Sequence, residues 1–159
     1  APNRKRKGAP RIDIVCLEKI SDQYRVVLWE AKRIRDGRVR AAIDELPEVF
    51  EQLKRYATFL SSRANCEQVV GAYRNTCEAL TTIYEMRSDQ SCGLSGAISE
   101  IGKNTQLLTD VDVMPRVVIF GGALHDRGGW LPHQARFAEQ GYTLKVFDPD
   151  VRYDLSAER

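Results

Sequence analysis

The chain has 159 residues, of which 43% are hydrophobic and 29% charged, with a formal net charge of +2. This is the size and composition of one soluble globular domain with a sizeable core. The apolar run Val117 to Leu124 is far too short to span a bilayer, no apolar signal core follows the basic N-terminus, and Cys16, Cys66, Cys77 and Cys92 form no CxxC pair. A membrane protein, a secreted protein and a zinc or iron–sulfur protein are therefore set aside in favour of a cytoplasmic protein with reduced thiols.

In chain order, residues 1–10 are a basic N-terminal segment with the uninterrupted run Arg4-Lys5-Arg6-Lys7. Ala1-Pro2 lacks an initiator methionine and the first eight residues form no regular element, so a trimmed or partly disordered start is expected. Arg11-Ile12-Asp13-Ile14-Val15 reads as a short strand that carries a lone acid, and Lys19 to Gln23 is polar enough to turn the chain. Val26-Val27-Leu28-Trp29 reads as a buried strand ending in Glu30-Ala31-Lys32. Alternation places Glu30 and Lys32 on one face. Pairing of the two strands as a hairpin brings Asp13 beside Glu30, with the Lys32 ammonium next to both. Two acids that can hold a divalent metal, and a cation near the attacking water or the phosphate, are what metal-dependent phosphodiester hydrolysis requires.

Arg35-Asp36-Gly37-Arg38 reads as a tight turn with positive φ at the Asp-Gly step, followed by a short strand or loop over Val39 to Ile43. A helix begins near Leu46-Pro47 and runs to about Ser61, with Val49, Phe50, Leu53, Tyr56, Ala57 and Leu60 at helical spacing. A second helix is predicted from Cys66 to Met86. Ser88 to Asn104 reads as loop with one helical turn around Ile98 to Ile101. Pro115 to Phe120 is a buried strand ended by Gly121-Gly122, and a helix follows from about Leu131 to Gln140. Gly141 caps that helix, and Tyr142 to Phe147 alternates as the last strand. A mixed sheet with helices on its faces follows.

Charge is unevenly spread. Lys32, Arg33, Arg35, Arg38 and Arg40 crowd behind the acid–base pair, while Asp148 to Glu158 is acid-rich. Clustered cations suit a polyanion such as nucleic acid, and equally suit a solvated surface. Gly121-Gly122 and Gly128-Gly129 flank the start of a helix, but without GxGxxG or Gly-Lys-Ser/Thr they read as turn chemistry rather than a phosphate loop. His125, Asp126 and His133 match no zinc spacing. Trp130 reads as a helix-entry aromatic packed on the core, the alternative being a platform for a base.

Asp13, then Glu30-x-Lys32, then a helix bearing Gln52-Leu53-Lys54-Arg55-Tyr56, resembles the PD-(D/E)XK nuclease superfamily, and the QxxxY element makes it similar to the RecB-like branch. The resemblance covers roughly residues 11 to 60. It implies an α/β, restriction-endonuclease-like fold over residues 11–150, a mixed central sheet flanked by helices, with 151–159 left as a C-terminal tail. It implies that Asp13 and Glu30 hold Mg2+ or Mn2+, that Lys32 orients or activates the water, and that Gln52 and Tyr56 support the site and the DNA backbone. Arg33, Arg35, Arg38 and Arg40 are the expected phosphate contacts. The sequence departs from the pattern in two places: Ile12 stands where a proline usually precedes the first acid, and the family's first helix, with its extra Glu near the metal, does not precede Asp13.

The function expected is a divalent-metal-dependent nuclease acting on DNA, with a homodimer or a larger nuclease complex as the assembly and no membrane partner. The alternative is a catalytically inactive nucleic-acid-binding or interaction module of the same fold.

Overall fold

The computed structural model describes residues 11–42, 45–87, 93–121 and 127–147. Arg4 to Lys7, Cys92, Gly122, His125, Asp126 and the acidic C-terminal stretch lie outside them. Among the described residues no helix is long and apolar enough to cross a membrane, and Cys16, Cys66 and Cys77 are free thiols.

The chain opens with a hairpin of β1 (Ile14–Ile20) and β2 (Gln23–Arg33). Its turn is only Ser21-Asp22, with Ser21 at φ 54°, and the ladder runs from Ile20 opposite Gln23 to Ile14 opposite Trp29. The expected strand Arg11 to Val15 is thus displaced toward the turn. Polar Glu18 and Lys19 belong to the ladder because Arg25 and Arg116 meet the Glu18 carboxylate. Asp13 falls just outside the strand, with its side chain 43% exposed, so it is not an acid buried on an apolar strand.

After β2, Asp36 caps a single 3-10 turn over Gly37–Val39. Gly37 has no positive φ, contrary to the expected tight turn, because the Asp36 carboxylate already satisfies the Arg38 N–H at 2.9 Å. Helices α1 (Val49–Leu60) and α2 (Arg63–Glu85) follow. Within the segment expected as loop, the helical turn expected around Ile98 to Ile101 is an eight-residue helix, α3 (Gly96–Lys103), and after that segment comes an unexpected strand, β3 (Leu108–Val111). Beyond it come β4 (Arg116–Phe120), α4 (Arg127–Glu139) and β5 (Leu144–Phe147). Helix α4 starts earlier than expected and contains Pro132, which together with Gly128 and Gly129 hides its beginning from propensity. Gly141, at φ 74°, ends it in a Schellman motif: its N–H donates to the Ala138 carbonyl at 3.0 Å, and the Tyr142 N–H donates to Phe137 at 2.9 Å.

The sheet is mixed, in the order β1-β2-β4-β5, with β1 antiparallel and the others parallel to β2. Strands β3 and β4 run end to end along one edge of β2, β3 beside Tyr24 to Val26 and β4 beside Trp29 to Arg33. Between them Asp112 accepts the Met114 N–H at 3.1 Å, which bends the chain out of one ladder segment and into the next. The crossovers β2 to β4 and β4 to β5 step in the same direction, so right-handed connections place their helices over one face. The core agrees with this. Phe50, Leu53 and Tyr56 of α1 and Trp130 and Phe137 of α4 pack with Val117 and Ile119, and α2 and α3 join Val26, Leu28 and Leu108 on the same side.

The other face carries Val27, Trp29 and Val118, all buried, and beside them a charged network. Arg116 forks onto Glu18 at 3.0 and 2.9 Å and reaches Asp112 at 2.7 Å. Burial pushes the Glu18 carboxyl up, but the hydrogen bonds from Arg116 and Arg25 prevail and hold it below its ordinary value.

Candidate active site

The C-terminal end of β2 carries the candidate site. The ladder ends at Ile14 opposite Trp29, and just beyond it the Asp13 carboxylate is held to β2 by the Ala31 N–H. Glu30 and Lys32 share the helix-covered face with Val26 and Leu28, as strand alternation requires. Both are buried, with side chains 2% and 4% exposed.

The Lys32 ammonium hydrogen-bonds Glu30 Oε1, lies 3.8 Å from Asp13 Oδ2, and is 3.3 Å from the Ala31 carbonyl. It therefore bridges the two carboxylates. Asp13 is held by the backbone as well: its Oδ2 accepts the Ala31 N–H at 3.0 Å, where a longer β1 would have supplied a ladder carbonyl. From the helix layer, the Tyr56 hydroxyl donates to Glu30 Oε2 at 2.9 Å and also meets the Arg11 carbonyl. Burial, followed by the hydrogen bond to Glu30, raises the Tyr56 phenol well above its ordinary value. Tyr56 consequently remains a neutral donor throughout the physiological range. Each Glu30 oxygen thus has its own donor, a neutral hydroxyl on one and an ammonium on the other.

Chain segments far apart in sequence meet here through bonds that can be named. Asp13, Glu30, Lys32 and Tyr56 are brought together. Gln52, one turn before Tyr56 on α1, makes no hydrogen bond to them, and its buried amide oxygen has no partner among the described residues. The arginines divide. Arg33 and Arg35 are exposed. Arg38 forks onto Asp36 at 2.9 and 2.6 Å, and Arg40 donates to the Ile34 carbonyl at 3.0 Å. On α4, Trp130 is buried in the core and the His133 ring lies 5.9 Å from it. Burial and then the nearby Arg136 and Arg40 lower the His133 pKa.

No family model, curated protein or solved structure matches the chain.

One acid went unread in the sequence. Asp36, in the turn after β2, has its carboxyl held down to about 2, first by the Arg38 hydrogen bonds and in smaller part by the charge of Lys32. It therefore lies within electrostatic range of the site. No spacing rule marks it, because its nearness to Lys32 depends on how the chain leaves β2.

The donor set suits a divalent cation. Two carboxylates against one ammonium leave one negative charge uncompensated, and hard oxygens in small number are how Mg2+ is usually held, with water and substrate phosphate completing the shell. Among the described residues no three His, Cys, Asp or Glu side chains cluster as a metal cage.

The tyrosine contact is testable by itself. Tyr56→Phe removes the one donor to Glu30 Oε2 among the described residues and leaves that buried carboxylate oxygen unmet, which typically costs about 1–3 kcal/mol. Urea unfolding at pH 7 should show a loss of that order, and an unchanged midpoint would mean that the hydroxyl does not hold Glu30.

Proposed function

We propose that the protein is a divalent-metal-dependent nuclease that hydrolyses DNA phosphodiester bonds with a PD-(D/E)XK arrangement of the RecB-like kind, on a restriction-endonuclease-like fold. The observation that carries the reading is the bridge itself: two facing carboxylates, Asp13 and Glu30, joined by the Lys32 ammonium and backed by the Tyr56 hydroxyl.

Asp13 and Glu30 would hold Mg2+ or Mn2+. When bound, the ion supplies an acidified water and positive charge at the phosphate. The chain's own residues do the rest. Tyr56 fixes the orientation of Glu30. Lys32, on the same face as Glu30, is placed to donate to an anionic phosphate oxygen or to the attacking water as charge develops. Asp13, half exposed at the end of the hairpin, opens the pair to solvent and substrate. Gln52, with its unmet amide oxygen, can orient a water or a backbone group near α1.

The deciding experiment is incubation with labelled single-stranded, duplex and branched DNA in Mg2+, Mn2+ or EDTA. Cleavage that EDTA abolishes supports the nuclease reading. DNA binding without cleavage under any metal assigns the inactive binding module instead.

Exposed Arg33 and Arg35 are the expected phosphate contacts, since Arg38 and Arg40 are engaged within the chain. The double variant Arg33→Ala/Arg35→Ala should weaken DNA binding and lower the slope of log affinity against log salt by roughly one per lost phosphate contact. An unchanged slope measured by fluorescence anisotropy would assign both arginines to solubility.

A further inference from the structure

We propose that Lys32 is an exchangeable internal cation: a divalent ion enters the site by displacing its ammonium from Glu30 and Asp13, so that metal binding and phosphate binding are coupled through this one side chain. The inference rests on the metal-dependent reading above and adds a regulation of the same site.

Three observations carry it. First, the two Glu30 oxygens are held differently. Oε2 accepts from Tyr56 at 2.9 Å, a neutral donor anchored on α1, whereas Oε1 is met by the ammonium at the end of a flexible four-carbon stem. Second, the same ammonium lies 3.8 Å from Asp13 Oδ2, so it stands between the two oxygens that an ion would need to share. Third, Asp13 is exposed while Glu30 and Lys32 are buried, so an ion arriving from solvent meets Asp13 first and reaches Glu30 Oε1 only by replacing the ammonium.

A buried ammonium that loses its carboxylate partner needs another anion. Asp36 does not supply it, because its oxygens are already shared with Arg38. A DNA phosphate supplies the missing partner. Metal entry therefore frees the cation that the phosphate recruits, and phosphate in turn favours metal entry. Such coupling is reciprocal by thermodynamic necessity.

The test uses the full chain and Mn2+, with free ion measured by electron paramagnetic resonance. Lys32→Met removes the competing charge while keeping most of the stem, and should bind Mn2+ about tenfold more tightly than the parent, within the range usual for linked sites. Adding a phosphorothioate DNA duplex should tighten Mn2+ binding in the parent more than in Lys32→Met. Equal or weaker binding by Lys32→Met overturns the exchange even if the parent cuts DNA with Mg2+, in which case the metal reading stands without it. If neither protein binds Mn2+, both readings fall.

Should Lys32→Met fail to fold, the parent decides the question through 1H–15N spectra of its lysine ammonium groups, with the Lys32 signal identified by Lys32→Arg. That signal should shift or lose its protection as Mg2+ saturates the site. A signal that persists unchanged at saturation overturns the proposal.

Discussion

Asp13→Asn and Glu30→Gln should each reduce Mg2+-dependent DNA cleavage by at least on the order of a hundredfold to a thousandfold, the scale seen when a preorganised charge stabiliser is removed. Amides are the better choice for physical reasons. Asn at 13 can still accept the Ala31 N–H, and Gln at 30 keeps one oxygen to accept from the Lys32 ammonium while its NH2 donates to the Tyr56 oxygen, whose own proton goes to the Arg11 carbonyl. Alanine at 30 would leave the Lys32 ammonium, 4% exposed, without its main partner, a loss that typically costs about 3–5 kcal/mol and would confuse a folding defect with a chemical one. DNA affinity should be retained or increased in both variants, because each removes a negative charge that would repel a phosphate bound at the proposed site. Gel cleavage assays and anisotropy on the same preparations separate the two effects. The assignment fails if the amide variants cut as fast as the parent.

Gly102→Ala should destabilise the protein by about 2 kcal/mol, within the usual range for overpacking, although alanine is the better helix former by about 1 kcal/mol. A methyl group on Gly102 would meet Thr81 Oγ1 at 2.0 Å, Thr81 Cβ at 2.7 Å and the Cys77 carbonyl at 2.7 Å. A side chain can turn away; a helix carbonyl cannot. Helices α2 and α3 would have to separate, which loosens Cys77 and Ile101 in the core behind β3. The melting temperature should fall by roughly 4–8 °C for a chain of this size. Thr81→Ala should not restore it, because the Cβ and the Cys77 carbonyl remain. A melting temperature equal to or above the parent's would show that the two helices are not held at this spacing. The site lies on other elements, so cleavage per folded molecule should change little.

Much of the fold was legible because local signals were strong. The stripe of Val49, Phe50, Leu53, Tyr56 and Leu60 marked α1, and Gly141 marked the end of α4 through the positive φ that a Schellman motif needs. The elements read too short or missed, α3 and β3, had weak local signals. Helix α3 contains two glycines and is stabilised where Gly102 lets it approach α2. Strand β3 is four residues long, of which only Leu108 and Val111 are buried, and its pairing depends on a β2 edge far away in sequence.

For the site, the strand period alone put Glu30 and Lys32 on one face, since side chains alternate whatever the tertiary context. The helical period likewise put Gln52 and Tyr56 on one side of α1. Contacts between elements belong to the tertiary structure. Whether β1 reaches Asp13 is decided by hairpin register, and the structure leaves that acid half exposed on the Ala31 N–H. Which of the two α1 residues touches Glu30 is decided by the rotation of the helix over the sheet, which selects Tyr56. Arg38 and Arg40 looked like free cations until the turn after β2 gave them Asp36 and the Ile34 carbonyl. Nothing in the local pattern marks Glu18 as buried; Arg116, 98 positions away, is what its carboxylate meets. Local periodicity decides which way a side chain points, but a charge takes its state from whichever oppositely charged group the fold brings within a few ångströms, and no local pattern encodes that meeting.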